Sequence, residues 1–229
     1  MRRVLEREIM DDRKQAIAYA KADFSSSNQM FVDKLIEDYS AKLQNVLDIG
    51  CGPADVPIRL AKTKPSIRIT AVDASETMIR LAKKAVKAAG LEQRVRLIKG
   101  QVPGLQLENC NYDVILSKDS LHHLADPMVF WEEVKRLAKG ETVVYMMDLY
   151  RPSTKEEARE IVESVSAKEP MILKRDFYNS LLAAFTIDEV QQQLRKAELA
   201  LEVVEVSERH FLVKGPIRTG ERYRVSEPR

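Results

Sequence analysis

The chain is short of the residues that build secreted scaffolds and metal centres. Of its 229 residues, two are cysteine, at 51 and 110, and three are histidine. Two cysteines cannot staple a disulfide framework, so a reducing, cytoplasmic setting is expected. Glycine and proline number only 8 and 9, and aromatics make up 6%, which excludes collagen-like and low-complexity chains. Long apolar runs are missing as well. The stretch 143–149 is far too short to span a bilayer, and the amino end MRRVLEREIMDDRK has no apolar core of a secretion signal. No membrane partner is expected. Neither sign of charge dominates, because 37 Lys and Arg face 35 Asp and Glu. A net charge of +2 is too mild to argue for nucleic acid. What is present, 45% hydrophobic and 31% charged residues, is the balance of one globular domain, expected as a monomer or homodimer.

Helical spacing runs over 4–23 and 29–43, with Ser25, Ser26, Ser27 and Asn28 read as the turn between, so 1–45 forms a helical cap. The period then changes. Val46-Leu47-Asp48-Ile49-Gly50 reads as a short buried strand stopping at the turn Gly50-Cys51-Gly52-Pro53, with a helix over 54–63. Further strands are expected at 67–73, 94–99, 112–117 and 141–148, and helices at 75–89 and 127–138. Such alternation implies an α/β fold, a mostly parallel sheet with helices on both faces. Helical stretches at 153–166 and 170–184 interrupt it, as an insertion over about 150–185. Thr186 then caps a helix to Ala197, and 201–206 and 209–214 form an antiparallel pair, giving seven strands. The domain proper is thus 46–214, and 215–229 is a flexible basic tail.

The strand–turn–helix unit at 46–63 has a physical use. Glycines admit a ligand close to the backbone, and a helix start presents unpaired amides. The dinucleotide pattern GxGxxG is nevertheless broken, since Pro53, Ala54 and Asp55 follow Gly52. Asp48, inside the strand, would repel a pyrophosphate and attract an ammonium. Asp73 ends the second strand, where a carboxylate can accept from ribose hydroxyls. Read alone, Asp73 is equally a turn residue or helix cap, and the glycines an ordinary tight turn. Together they suit S-adenosylmethionine, whose tail and sulfonium are positive.

Val46-Leu47-Asp48-Ile49-Gly50-Cys51-Gly52 resembles the first motif of class I S-adenosylmethionine-dependent methyltransferases. Ala71-Val72-Asp73-Ala74-Ser75 resembles their second and Tyr112 to Ser117 their fourth, while Leu121 to Pro127 resembles the loop after that strand. The resemblance implies a Rossmann-like seven-stranded sheet with an antiparallel last strand and a helical lid. It implies that Asp48, Gly50 and Gly52 line the methionine moiety, that Asp73 holds the ribose, and that Ala74 and Met78 flank the adenine. Gln101 stands where the family usually has an acidic residue for the adenine amine, with Val102 beside it, and Ser117 would lie near the methyl group. S-adenosylhomocysteine would be the product.

The methyl donor arrives activated, so positioning an acceptor can suffice, with a general base where the acceptor must lose a proton. His123 lies four residues from Asp119, which on a helix would let the carboxylate orient the ring; His123 is the expected base, with His122 next. The Ser117-Lys118-Asp119…His123 spacing is similar to phosphoethanolamine methyltransferases. Either histidine could instead cap or pack the loop, and His210 reads as structural. No His, Cys and carboxylate set has metal-ligand spacing, so no metal is expected. Tyr19, Phe24 and the insertion's aromatics, with Arg151 or Arg175 for an acidic group, would enclose a small-molecule acceptor. An RNA or protein substrate, or a non-catalytic binding subunit, remain the alternatives.

Overall fold

A computed structural model describes residues 1–6, 12–107 and 112–217. Cys110 and the tail's Arg218, Arg222, Arg224 and Arg229 lie outside them. Strands β1 (Asn45–Ile49), β2 (Arg68–Asp73), β3 (Val95–Lys99), β4 (Val114–Lys118), β5 (Val143–Leu149), β6 (Glu202–Ser207) and β7 (His210–Pro216) form one sheet, ordered β3-β2-β1-β4-β5-β7-β6. The first five are parallel, and β7 runs antiparallel to both β5 and β6. Successive residues of a strand point to opposite faces, so a strand buried on both sides must be apolar throughout. All seven residues of β5 are buried, with Val143, Tyr145 and Met147 in one core and Val144 and Met146 in the other.

Helices α3 (Asp55–Thr63), α4 (Glu76–Ala88), α5 (Met128–Leu137) and α8 (Ile187–Lys196) connect the strands. Ser75 caps α4 through its hydroxyl, and Thr186 and Glu189 form a reciprocal capping box on α8. Under α8 the Trp131 indole N–H donates to Gln193 at 2.9 Å in a buried pair. Gln193→Ala strands that donor and should cost about 1–3 kcal/mol in a denaturation experiment. An unchanged midpoint would show the indole finds another acceptor.

The cap and lid differ from expectation at their ends. The first helix is only α1 (Arg13–Lys21), opened by the Asp12 carboxylate, and residues 1–6 belong to no helix or strand. Ser25 to Asn28 form the first turn of α2 (Ser25–Tyr39) rather than a loop, because the Asp23 carboxylate accepts from the Ser25 amide at 3.0 Å and starts the helix early. Helices α6 (Lys155–Ser166) and α7 (Met171–Ala183) pack together as the insertion. The ordered domain also outlasts position 214: Gly215 and Pro216 close β7, and the Ile217 amide donates to the Thr142 carbonyl. Among the described residues no helix is long and apolar enough to cross a membrane.

Candidate active site

The strand order reverses direction between β1 and β4, the place where open α/β sheets bind ligands beyond their carboxyl ends. Three cavities meet there, of about 160, 380 and 340 Å³, all walled in part by Tyr19, Lys118 and Asp119. Three strands carry an acid at or next to their carboxyl ends: Asp48 is next to last in β1, Asp73 is last in β2 and Asp148 is next to last in β5.

The glycine turn is built for close approach. Gly50 has φ 82°, and a Cβ there would meet the Ser120 Oγ at 1.9 Å. Gly52 has φ 51° and only Tyr19, at 4.0 Å, above it. Asp73 fixes this turn, since its Oδ2 accepts from the Gly52 amide and its Oδ1 from the Ser75 amide, each at 2.8 Å. The expected turn role and the cavity position thus coexist, because Asp73 also lines the largest of these three cavities with Ala74, Met78, Gln101 and Val102.

Asp48 lines the smallest cavity and is 2% exposed, and its Oδ2 has no hydrogen-bond partner. Burial, with the Asp73 charge adding to it, pushes its carboxyl well above the ordinary range, and Lys118 opposes weakly. Arg59 walls the same cavity, held by Asp55 at 2.6 Å, and was not singled out by any sequence motif. Ser117 departs from expectation. It is buried and donates to the Ile49 carbonyl at 2.7 Å, tying β4 to β1 instead of facing the cavities.

The expected Asp119–His123 pairing is not formed. Asp119 has φ 53°, so the chain reverses there, and only Leu121–His123 make a short 3₁₀ turn. Asp119 pairs with Lys118, and its unbonded Oδ1 faces His210 Nε2 at 4.0 Å. Burial pushes the Asp119 carboxyl up, but Lys118 and then His210 overcome it and hold it below the usual range. His123 faces Glu6 instead, at 3.3 Å. His122 is the buried one, with Nδ1 2.6 Å from Asp148 Oδ1 and its own amide donating to Asp148 Oδ2. Desolvation would lower the His122 pKa, yet Asp148 outweighs it and the net shift is upward. His210 lines the same cavity as His122 and is kept neutral, its pKa lowered to about 4 mainly by burial.

The third cavity has an apolar wall from Phe24, Leu149, Leu173 and Phe177 and a polar one from His122, His123, His210 and Asp176. Arg151 does not reach it. Its guanidinium is buried against Glu189 in a two-point ion pair, at 2.7 and 3.0 Å, because the end of α7 and the start of α8 close over it. Arg175 lines a separate surface hollow beside Leu5 and Asp12. Asp148 and Glu6 escaped the sequence reading. Asp148 carried the same signal as Asp48, an acid next to last in an apolar strand, whereas nothing marked Glu6.

A family model described as "Methyltransferase domain" matches residues 40–199. Ajmaline N-methyltransferase of Rauvolfia serpentina is 26% identical over 140 residues, covering 61% of this chain and 46% of that one. The malonyl-[acyl-carrier protein] O-methyltransferase of Priestia megaterium is 35% identical over 116 residues, covering 51% and 40%. This chain spans about half the length of such curated relatives. A solved SAM-dependent methyltransferase from Aquifex aeolicus shares the fold, with TM-score 0.69 and 23% identity over 90% of this chain and 98% of that one. With the matched residues spanning well over half its length, the chain belongs to the methyltransferase domain family.

Proposed function

We propose that this protein transfers a methyl group from S-adenosylmethionine to a small-molecule acceptor, at oxygen, nitrogen or carbon, and releases S-adenosylhomocysteine. The observation that carries the reading is Asp48, a buried carboxylate oxygen without a partner on the wall of a cavity. Such a group calls for a cationic donor, and an α-ammonium supplies one. Arg59 and Lys118 border the same cavity, so both ends of an amino acid zwitterion meet opposite charge. Gly52 leaves the backbone open to the methionine arm, while Gly50 makes room for the Ser120 side chain behind the turn. Asp73 would accept from the ribose, Ala74 and Met78 would flank the adenine, and Gln101 and Val102 would meet its edge. Bound there, the cofactor supplies a methyl group already activated by its sulfonium.

The chain's own contribution is orientation and proton handling. Because Asp148 accepts from Nδ1, the His122 tautomer keeps its lone pair on Nε2, at the wall of the third cavity. His122, held by Asp148, replaces His123 held by Asp119 as the proposed base, and Asp119 shapes the passage between the cavities. Asp148 is a positioning residue. Phe24, Leu173 and Phe177 exclude water from the acceptor. The curated relatives named above are an ajmaline N-methyltransferase and a malonyl-[acyl-carrier protein] O-methyltransferase, and this supports a small organic acceptor over RNA. The proposed setting is cytoplasmic, as a monomer or homodimer, with 1–45 serving as a cap on the domain.

Incubation with isotopically labelled S-adenosylmethionine and a panel of amines, phenols and carbon acids tests the activity by product mass. A labelled product is expected; cofactor binding without product from any class would favour a binding subunit. Asp73→Ala should weaken cofactor binding by about 1–3 kcal/mol, since it removes an acceptor and releases the glycine turn it tethers. Unchanged affinity in a calorimetric titration would take Asp73 out of the site.

A further inference from the structure

Glu6, His122 and His123 each offer one ligand atom, and the three atoms lie within 4.8 Å of one another. Spacing along the chain shows no metal-ligand set because the carboxylate comes from the amino-terminal segment, more than a hundred residues from the histidines. That segment is tied down beside the site: Arg3 donates to the His122 and Leu124 carbonyls, both at 2.8 Å, and the Val4 amide to the Leu182 carbonyl at 2.9 Å. Glu6 therefore arrives by a fixed route.

The donors have the chemistry of a transition-metal site. Two imidazoles and one carboxylate suit zinc, cobalt or ferrous ions, whereas calcium and magnesium prefer all-oxygen sets. Outer partners are in place as well. Asp148 holds His122 Nδ1 at 2.6 Å and so presents Nε2, the arrangement that fixes ligating histidines elsewhere. Ser180 donates to Glu6 Oε2 at 3.1 Å. Metal–ligand bonds of about 2.0–2.2 Å put tetrahedral donors roughly 3.3 Å apart. His123 Nδ1 and Glu6 Oε2 already stand 3.3 Å apart. The remaining separations, none above 4.8 Å, close by small movements of the Glu6 and His123 side chains, the latter 37% exposed, toward the fixed His122. Three protein ligands leave a fourth position open toward the cavities that Glu6 and the histidines line.

We propose that Glu6, His122 and His123 form a site for one divalent transition-metal ion, and that an ion bound there silences methyl transfer. The silencing follows because the ion takes the same His122 lone pair that would accept the acceptor's proton; this second clause rests on the function proposed above.

The test is titration of the tag-free, chelator-stripped full chain with cobalt(II), read by its visible d–d absorption, with zinc as competitor. One cobalt per chain is expected. Glu6→Gln and His123→Ala should each weaken it at least tenfold, and Asp148→Asn roughly 10–100-fold. The far-ultraviolet circular dichroism spectrum, measured alongside, should be unchanged in Glu6→Gln. Absence of the absorption, or cobalt affinity indifferent to Glu6→Gln and His123→Ala alike, overturns the site. Where a labelled product is found, stoichiometric zinc should abolish its formation and chelator restore it. Full turnover with cobalt or zinc demonstrably bound overturns the silencing clause and leaves the site standing. Failure to find any acceptor counts against the proposed function alone, because the cobalt titration reads the site without turnover.

Discussion

Asp48→Asn should weaken S-adenosylmethionine binding by roughly 10- to 150-fold while raising the stability of the cofactor-free protein. The first effect follows from losing a hydrogen bond to a charged group, worth about 1.5–3 kcal/mol. The second follows from the same buried oxygen. Burial and the neighbouring Asp73 raise the Asp48 pKa in the folded chain. Between the ordinary carboxylate range and that raised value, the folded state keeps a proton that the unfolded chain has lost. Stability from this group is therefore full at low pH and falls as pH rises through that window. Asparagine does not titrate, so the variant should lack this part of the fall and melt higher at neutral pH. Thermal melts across pH, with and without cofactor, read both effects. A variant that melts lower and binds as tightly as the parent would mean that Asp48 only packs β1.

His122→Gln should lower turnover by about 10²–10⁴-fold, or roughly 3–5 kcal/mol of barrier, with cofactor affinity nearly intact. The reason is geometric. Asp148 fixes the ring through a buried 2.6 Å contact at Nδ1, which leaves Nε2 to take the proton, and His122 lines the cavity proposed for the acceptor. Asp148→Asn should follow in kcat more than in KM or cofactor Kd, because it frees the ring's tautomer without touching either ligand. His123→Ala should lose less, since its ring is 37% exposed and its carboxylate partner stands farther off, at 3.3 Å. Steady-state kinetics on the labelled-product assay separates these. A larger loss in His123→Ala than in His122→Gln would return the base to His123.

The sheet was legible because its strands are short apolar runs that alternate with helical stretches, and that pattern has few other solutions. The cofactor side was legible for a related reason: Asp48, Gly50, Gly52 and Asp73 are close in sequence to the turns they shape. The catalytic side was not. A four-residue spacing orients Asp119 toward His123 only on a helix, and the positive φ of Asp119 turns the chain before one can start. The carboxylates that do meet the histidines come from β5 and from the amino-terminal segment, and spacing along a chain carries no information about such contacts. Arg151 shows the opposite error. A cation among aromatics reads as a ligand for an acidic substrate, yet Glu189, thirty-eight positions on, pairs with it.

The most direct test of the central claim is calorimetric titration of the full chain with S-adenosylmethionine and, separately, with NAD. The glycine turn flanked by Asp48 attracts an ammonium and repels a pyrophosphate, so S-adenosylmethionine should bind one per chain and NAD should give no measurable heat. Tighter binding of NAD than of S-adenosylmethionine would contradict the account.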